Sequence, residues 1–158
     1  MERILLRGHH LLCSRLFTGN GYSREFVERM GEVVSRTGLA QYRNSVTFPL
    51  VKEIKLVCGD DYVCEKCPNL VREGQAFCGH GNEDVLQKDH LTLRYAGLSE
   101  NGIYTPEEIQ AGVERITEEQ FQEICGTCRW YRGGYCSYEA LEHIRNMDQA
   151  AAGMRDKL

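Results

Sequence analysis

No run of lysine and arginine occurs anywhere in this 158-residue chain, and its formal net charge is −4. Nucleic acid is drawn in by clustered positive charge, so the composition argues against a nucleic-acid partner. Long apolar runs are missing as well. Near the start, Ile4 to Leu6 and Leu11 to Leu12 are interrupted by Arg7, His9 and His10, far short of a signal-peptide core or a membrane span. The expectation is a cytoplasmic protein that does not engage a membrane. There is no phosphate-binding glycine loop, dinucleotide fingerprint or nucleophile elbow, which disfavours nucleotide cofactors and serine-hydrolase chemistry. What remains, 42% hydrophobic and 27% charged residues, is the composition of a soluble globular protein long enough for a single domain with a sizeable core.

Cysteine is what the chain has in excess. Six of its eight cysteines form two clusters, Cys64-Glu-Lys-Cys67 followed by Cys78, and Cys125-Gly-Thr-Cys128 followed by Cys136. Two residues between thiols is the spacing at which a tight turn aims both sulfurs at one metal, with a third arriving from the next loop. Thiols stay reduced in the cytoplasm, so ligands are the better reading than disulfides. Soft thiolates select zinc, copper(I) or iron–sulfur clusters over magnesium or calcium. Proline after a ligating cysteine, as in Cys67-Pro68, occurs in ferredoxin-type motifs, though Pro68 is equally at home as a turn residue. Trp130, Tyr131, Tyr135 and Tyr138 surround the second cluster, as a shield against water or as plain core.

The pattern predicts a small α+β fold, mainly helical, with cysteine-bearing knuckles between helices. Residues 1–60 read as a helical part with short strand segments, 61–81 as the first knuckle, 82–124 as a helical segment, 125–136 as the second knuckle and 137–158 as a last helix. Ile4 to Leu6 suits a short strand entering a helix over Gly8 to Phe17, broken by Gly19-Asn20-Gly21. Ser23 is placed to cap a helix carrying Phe26, Val27, Met30, Val33 and Val34, stopped by Gly38. Val46 to Val57 is the one stretch of β character, read as a hairpin or edge strand limited by Pro49. Asp84 to Tyr95 suits a helix. Thr105-Pro-Glu-Glu108 and Thr117-Glu-Glu-Gln120 are capping boxes, and Ser137 opens a helix turning Leu141, Ile144 and Met147 inward.

Arg7-Gly-His-His-Leu-Leu-Cys13 stands apart from the clusters. On a helix His9 and His10 lie four and three residues from Cys13, so either imidazole can share a face with that thiol. Cys13 is then a candidate extra ligand, with a histidine as ligand, hydrogen-bond donor or proton carrier; a buried inert cysteine is the plainer alternative. His80, in Gly79-His80-Gly81, is the best additional ligand near the first knuckle. Asp60-Asp61 reads first as a turn and Asp89-His90 as a helix surface.

Taken together, the Arg7–Cys13 motif, Gly19-Asn-Gly-Tyr-Ser23, Asp61-Tyr-Val-Cys-Glu-Lys-Cys-Pro-Asn69 and Cys125-Gly-Thr-Cys-Arg-Trp130 with Gly134-Tyr-Cys136 resemble the domain of unknown function 1284 family of bacteria and archaea. The resemblance implies iron–sulfur binding and favours Cys13, Cys64, Cys67, Cys78, Cys125, Cys128 and Cys136. It brings no reaction type. Cys58 falls outside the pattern, and its alternation with Ile54 and Leu56 suits a strand side chain. Seven cysteines cannot fill two four-thiolate sites. A histidine (His9, His10 or His80), Asp61 or Cys58 completes one, or one iron stays open to substrate. The leading expectation is one or two iron–sulfur clusters, of the 4Fe-4S kind, in electron transfer or redox sensing with a redox partner. The alternatives are a zinc-stabilised interaction module and a metalloenzyme acting on a small-molecule substrate.

Overall fold

Alternation builds the first strand. In β1 (Arg3–Arg7), Ile4 and Leu6 are completely buried while Leu5 is exposed. β1 pairs in parallel with β2 (Glu53–Val57), matching Ile4 to Ile54 and Leu6 to Leu56, so one sheet face is continuous aliphatic core. Parallel neighbours need a crossover, and α1 (His10–Arg15) and α2 (Arg24–Thr37) supply it. The computed structural model describes residues 3–19, 21–40, 48–71, 77–79 and 82–156. Residues 46 and 47 of the expected β stretch, Asn20 of the Gly19–Gly21 break, and His80 with Gly81 lie outside them.

α2 is capped as its sequence dictates. The Ser23 hydroxyl accepts from the Phe26 amide, and Gly38 closes the helix in the left-handed region at φ 69°. Its buried stripe of Phe26, Met30, Val33, Val34 and Thr37 faces the core. Beyond β2 a 3-10 turn (Cys64–Lys66) leads to the two-residue strands β3 (Leu70–Val71) and β4 (Phe77–Cys78), paired antiparallel. α3 (Asn82–Ala96) follows. Then β5 (Ile103–Tyr104) adds antiparallel to β2, and α4 (Pro106–Val113) opens on the expected capping box at Thr105. The sheet order β1-β2-β5 makes β2 the central strand. The expectation of a hairpin or edge there is corrected: Pro49 lies before the strand, which pairs along its whole length with β1 and at Ile54 and Lys55 with β5. The first helix is also shorter than expected, ending at Arg15.

The chain divides into two compact units, Met1–Ile116 and Thr117–Leu158. The second holds α5 (Glu118–Cys125), opened by a capping box at Thr117, then α6 (Arg129–Arg132) and α7 (Tyr138–Asp156). The Ser137 hydroxyl caps α7 by accepting from the Ala140 amide. Phe121 anchors this unit, its ring 6.0 Å from Tyr131 and 5.9 Å from Tyr138, with Ile124 and Leu141 buried alongside. Met147, expected inside, is 41% exposed. No helix of the described residues is long and apolar enough to cross a membrane.

Gly8 shows how closely the first unit is fitted. A Cβ there would lie 2.2 Å from the Asp89 carbonyl oxygen on α3, contact that backbone cannot relieve. At Gly38 a Cβ meets nothing within 4 Å, and only the positive φ opposes it. Gly8→Ala is expected to cost about 3 kcal/mol of overpacking and Gly38→Ala about 1 kcal/mol. Urea unfolding of both variants reads the difference, and equal losses would contradict the close approach of Gly8 to α3.

Candidate metal centre

Two buried carboxylates organise the first unit, and each gathers backbone amides and one imidazole. Asp61 follows the β2 turn. Its Oδ1 accepts from the Cys64 amide at 2.9 Å, which starts the 3-10 turn of the knuckle. Its Oδ2 accepts from the Arg7 amide at 2.8 Å and lies 2.7 Å from His10 Nδ1. Asp89, at 0% exposure on α3, accepts from the amides of His9 and Gly59, each at 3.1 Å, and lies 2.7 Å from His9 Nδ1. Its remaining partner is Arg7, whose Nε and Nη2 reach Oδ2 at 2.9 and 2.8 Å. The other guanidinium nitrogen, Nη1, is 3.4 Å from Cys64 Sγ. Arg7, Gly8, His9 and His10 are thus all accounted for: each histidine by one carboxylate, Gly8 by its fit to α3, and Arg7 by Asp89 and Cys64.

The electrostatics follow from burial working against these partners. Burial alone would raise the Asp61 carboxyl, but His10 and the amides of Arg7 and Cys64 outweigh it and hold the group well below the usual carboxylate range. Burial would likewise raise Asp89, and His9 and Arg7 bring it down. Burial would lower the Arg7 guanidinium, but Asp89 and Cys64 together outweigh it and it stays charged. His9 is pushed down to about 4, by burial first and then by the charges of His10 and Arg7, against the pull of Asp89. A neutral His9 donates Nδ1–H to the ionised Asp89 and keeps its Nε2 lone pair. Cys64 goes up, because burial and the Asp61 charge together exceed the effect of Arg7.

Among the described residues two groups of three ligand-type side chains have their donor atoms within 4.8 Å of one another. One is His10, Asp61 and Cys64, all buried; the other is Cys58, His90 and Glu100, half-buried to exposed. The first joins Cys64 to His10 rather than to Cys67 and Cys78. Cys67 donates its amide to the Cys64 carbonyl at 3.0 Å, and Cys78 sits across from Leu70 on β4. Burial, and to a lesser degree the Cys78 thiol, push Cys67 up. Arg29 pins this knuckle to α2, its guanidinium 3.7 Å over the Tyr62 ring and its Nη1 donating to the Tyr62 carbonyl at 2.6 Å. Cys13 is half-buried on α1 and belongs to neither group.

In the second unit the same turn recurs. Cys125 ends α5, the Cys128 amide donates to the Cys125 carbonyl at 2.8 Å, and the Cys136 amide donates to the Trp130 carbonyl at 3.3 Å. Burial and then Cys128 push the Cys136 thiol up to about 11. Tyr131 and Tyr138 serve the core around Phe121. Tyr135, 55% exposed, stands edge-on to Trp130 at 5.4 Å. All eight cysteines lie in described residues, and none forms a disulfide.

A family described as protein of unknown function (DUF1284) matches this chain over residues 21–136, so the chain belongs to that family. The match spans both cysteine clusters and begins after the Arg7–Cys13 motif. Neither the curated proteins nor the solved structures gave a match. A cysteine-rich family member with groups of candidate metal ligands is a class defined here by composition and geometry together.

Asp89 is a correction. The helix surface expected for Asp89-His90 holds for His90, which is exposed, whereas Asp89 is fully buried. The signal was present, since Val85, Asp89 and Leu93 recur every fourth residue on the apolar stripe of α3. Asp61, first read as a turn residue, is buried too. Removing one charge of a buried pair leaves the other uncompensated, so Asp89→Asn should destabilise the protein by about 3–5 kcal/mol in urea unfolding; a loss below about 1 kcal/mol, the range of exposed pairs, would contradict the role given to Arg7. His9, lowered from 6.5 to about 4, favours the folded state while neutral. Its contribution is complete above pH 6.5 and is lost as pH falls toward 4, by about 2–3 kcal/mol. The depressed carboxylates add a further loss below that window. Unfolding of metal-free protein across pH 4–7 should therefore slope less in His9→Gln than in the parent, and parallel slopes would show that His9 does not titrate in this way.

Proposed function

We propose that this protein binds metal through its cysteine knuckles, as iron–sulfur clusters serving electron transfer or redox sensing. The observation that carries the reading is the setting of Cys64. A buried thiol that opens a two-residue cysteine turn has a fixed guanidinium 3.4 Å from its sulfur and lies within 4.8 Å of an imidazole and a carboxylate. The buried cluster places two carboxylates beside one guanidinium, and a bound cation would add positive charge there while displacing the thiol proton. An N–H donor to a ligating sulfur also withdraws electron density and raises the potential of an iron–sulfur centre. Arg7 is positioned for that. Asp61 lies 2.7 Å from His10 Nδ1, the kind of contact by which a carboxylate orients a metal-binding imidazole.

Zinc is the second reading, favoured by one specific observation. The mixed nitrogen, oxygen and sulfur set of His10, Asp61 and Cys64 suits a mononuclear ion with a fourth position for Cys13, water or substrate. In either reading Cys125, Cys128 and Cys136 form the separate ligand set of the second unit.

Iron, zinc and acid-labile sulfide are to be measured, with a visible spectrum, on protein purified without oxygen. Similar amounts of iron and sulfide, with absorbance that bleaches on reduction, are expected, and Cys64→Ser and Cys125→Ser should each lower the bound metal. Unchanged metal in either variant would remove that knuckle from the ligand set. Zinc without sulfide, persisting after anaerobic reconstitution, would replace the iron–sulfur reading by the mononuclear one.

A further inference from the structure

The Cys58, His90 and Glu100 group plays no part in the buried centre. We propose that these three side chains form a second, surface site for a single divalent cation of the zinc class. Their donor atoms all lie within 4.8 Å of one another, and Cys58 Sγ is 3.5 Å from His90 Nδ1. One thiolate, one imidazole and one carboxylate are the ligand types such an ion takes together. Three protein ligands leave a fourth position facing solvent for water or a small anionic ligand.

Three distant parts of the chain supply these ligands, and the backbone fixes each. Cys58 is the residue after β2, and the next amide, Gly59, is held by Asp89 Oδ2 at 3.1 Å. His90 follows that same aspartate on α3, so one buried carboxylate sets the distance between the thiol and the imidazole. Glu100 lies in the turn before β5. There Asn101 donates its amide to the Leu56 carbonyl at 2.7 Å, and the Leu56 amide donates to Gly102 at 3.0 Å. The ligands therefore sit on braced backbone, while His90 and Glu100 themselves are exposed. Charge points the same way. The Glu100 and Asp89 carboxylates put negative charge beside the Cys58 thiol, whose proton a cation would displace. A dipositive ion matches one thiolate and one carboxylate, and its binding releases that proton to solvent.

Cobalt(II) is the probe, added to protein that retains its resident metal. The parent is expected to take up one equivalent with a cobalt–thiolate absorption band that zinc displaces. Cys58→Ser should abolish the band, and His90→Ala and Glu100→Gln should weaken uptake, with resident iron or zinc unchanged in all three. Cys64→Ser should keep the extra equivalent, which separates this site from the buried centre. Thermal unfolding close to the parent's would show the variants folded, since His90 and Glu100 are exposed and Cys58 half-buried. Cobalt uptake and absorption in Cys58→Ser and His90→Ala equal to the parent's would overturn the proposal, as would loss of the band in Cys64→Ser alone.

Discussion

The ion pair between Arg7 and Asp89 is the constraint on which the first unit depends. Both side chains are almost fully removed from water, with 2.8 Å between Nη2 and Oδ2. Such a pair is stable only when every remaining polar atom finds a partner. Asp89 therefore also takes the amides of His9 and Gly59 and the His9 ring, and Arg7 turns its last nitrogen to Cys64. These contacts tie the end of β1, the start of α1, the turn after β2 and the middle of α3 to one point. Asp61 repeats the device from the other side, linking the Arg7 amide, the His10 ring and the knuckle.

This arrangement couples fold to chemistry. The groups that hold the sheet to α3 are the groups that orient His9, His10 and Cys64, so the candidate ligands are fixed by elements with their own reasons to be rigid. Raised thiol pKa values at Cys58, Cys64, Cys67 and Cys136 describe the metal-free state, in which burial keeps each sulfur protonated. A cation reverses that logic by supplying the charge that burial denies. A metal that recruited any of these cysteines would displace its proton.

Much of the fold was legible because it is written locally. The capping boxes at Thr105 and Thr117, the caps at Ser23 and Ser137 and the stop at Gly38 follow from residues within one helical turn, and all occur. The strand pairing was not legible. Ile54 and Leu56 alternate as an edge strand would, and only pairing with β1 and β5, each about fifty positions away, makes Glu53–Val57 central. The candidate site divides in the same manner. The cysteine turns announce themselves by spacing. The histidines at positions 9 and 10 were noticed beside Cys13, yet their partners are Asp61 and Asp89, which short-range reading assigned to a turn and a helix surface. Cys58 was set aside as a strand side chain; it stands one residue past β2, where the turn brings it to His90.

Asp61 and Asp89 hold the segments that carry the candidate ligands by their backbone amides, before any metal arrives. Amide hydrogen exchange on metal-free protein tests it at the amides of Arg7, His9, Gly59 and Cys64, the four that donate to Asp61 and Asp89. Protection comparable to that of the β1–β2 ladder, falling together at all four in Asp89→Asn, is expected. Fast exchange at these amides without metal, with protection appearing only once metal is bound, would contradict it and make the metal the organiser of the site.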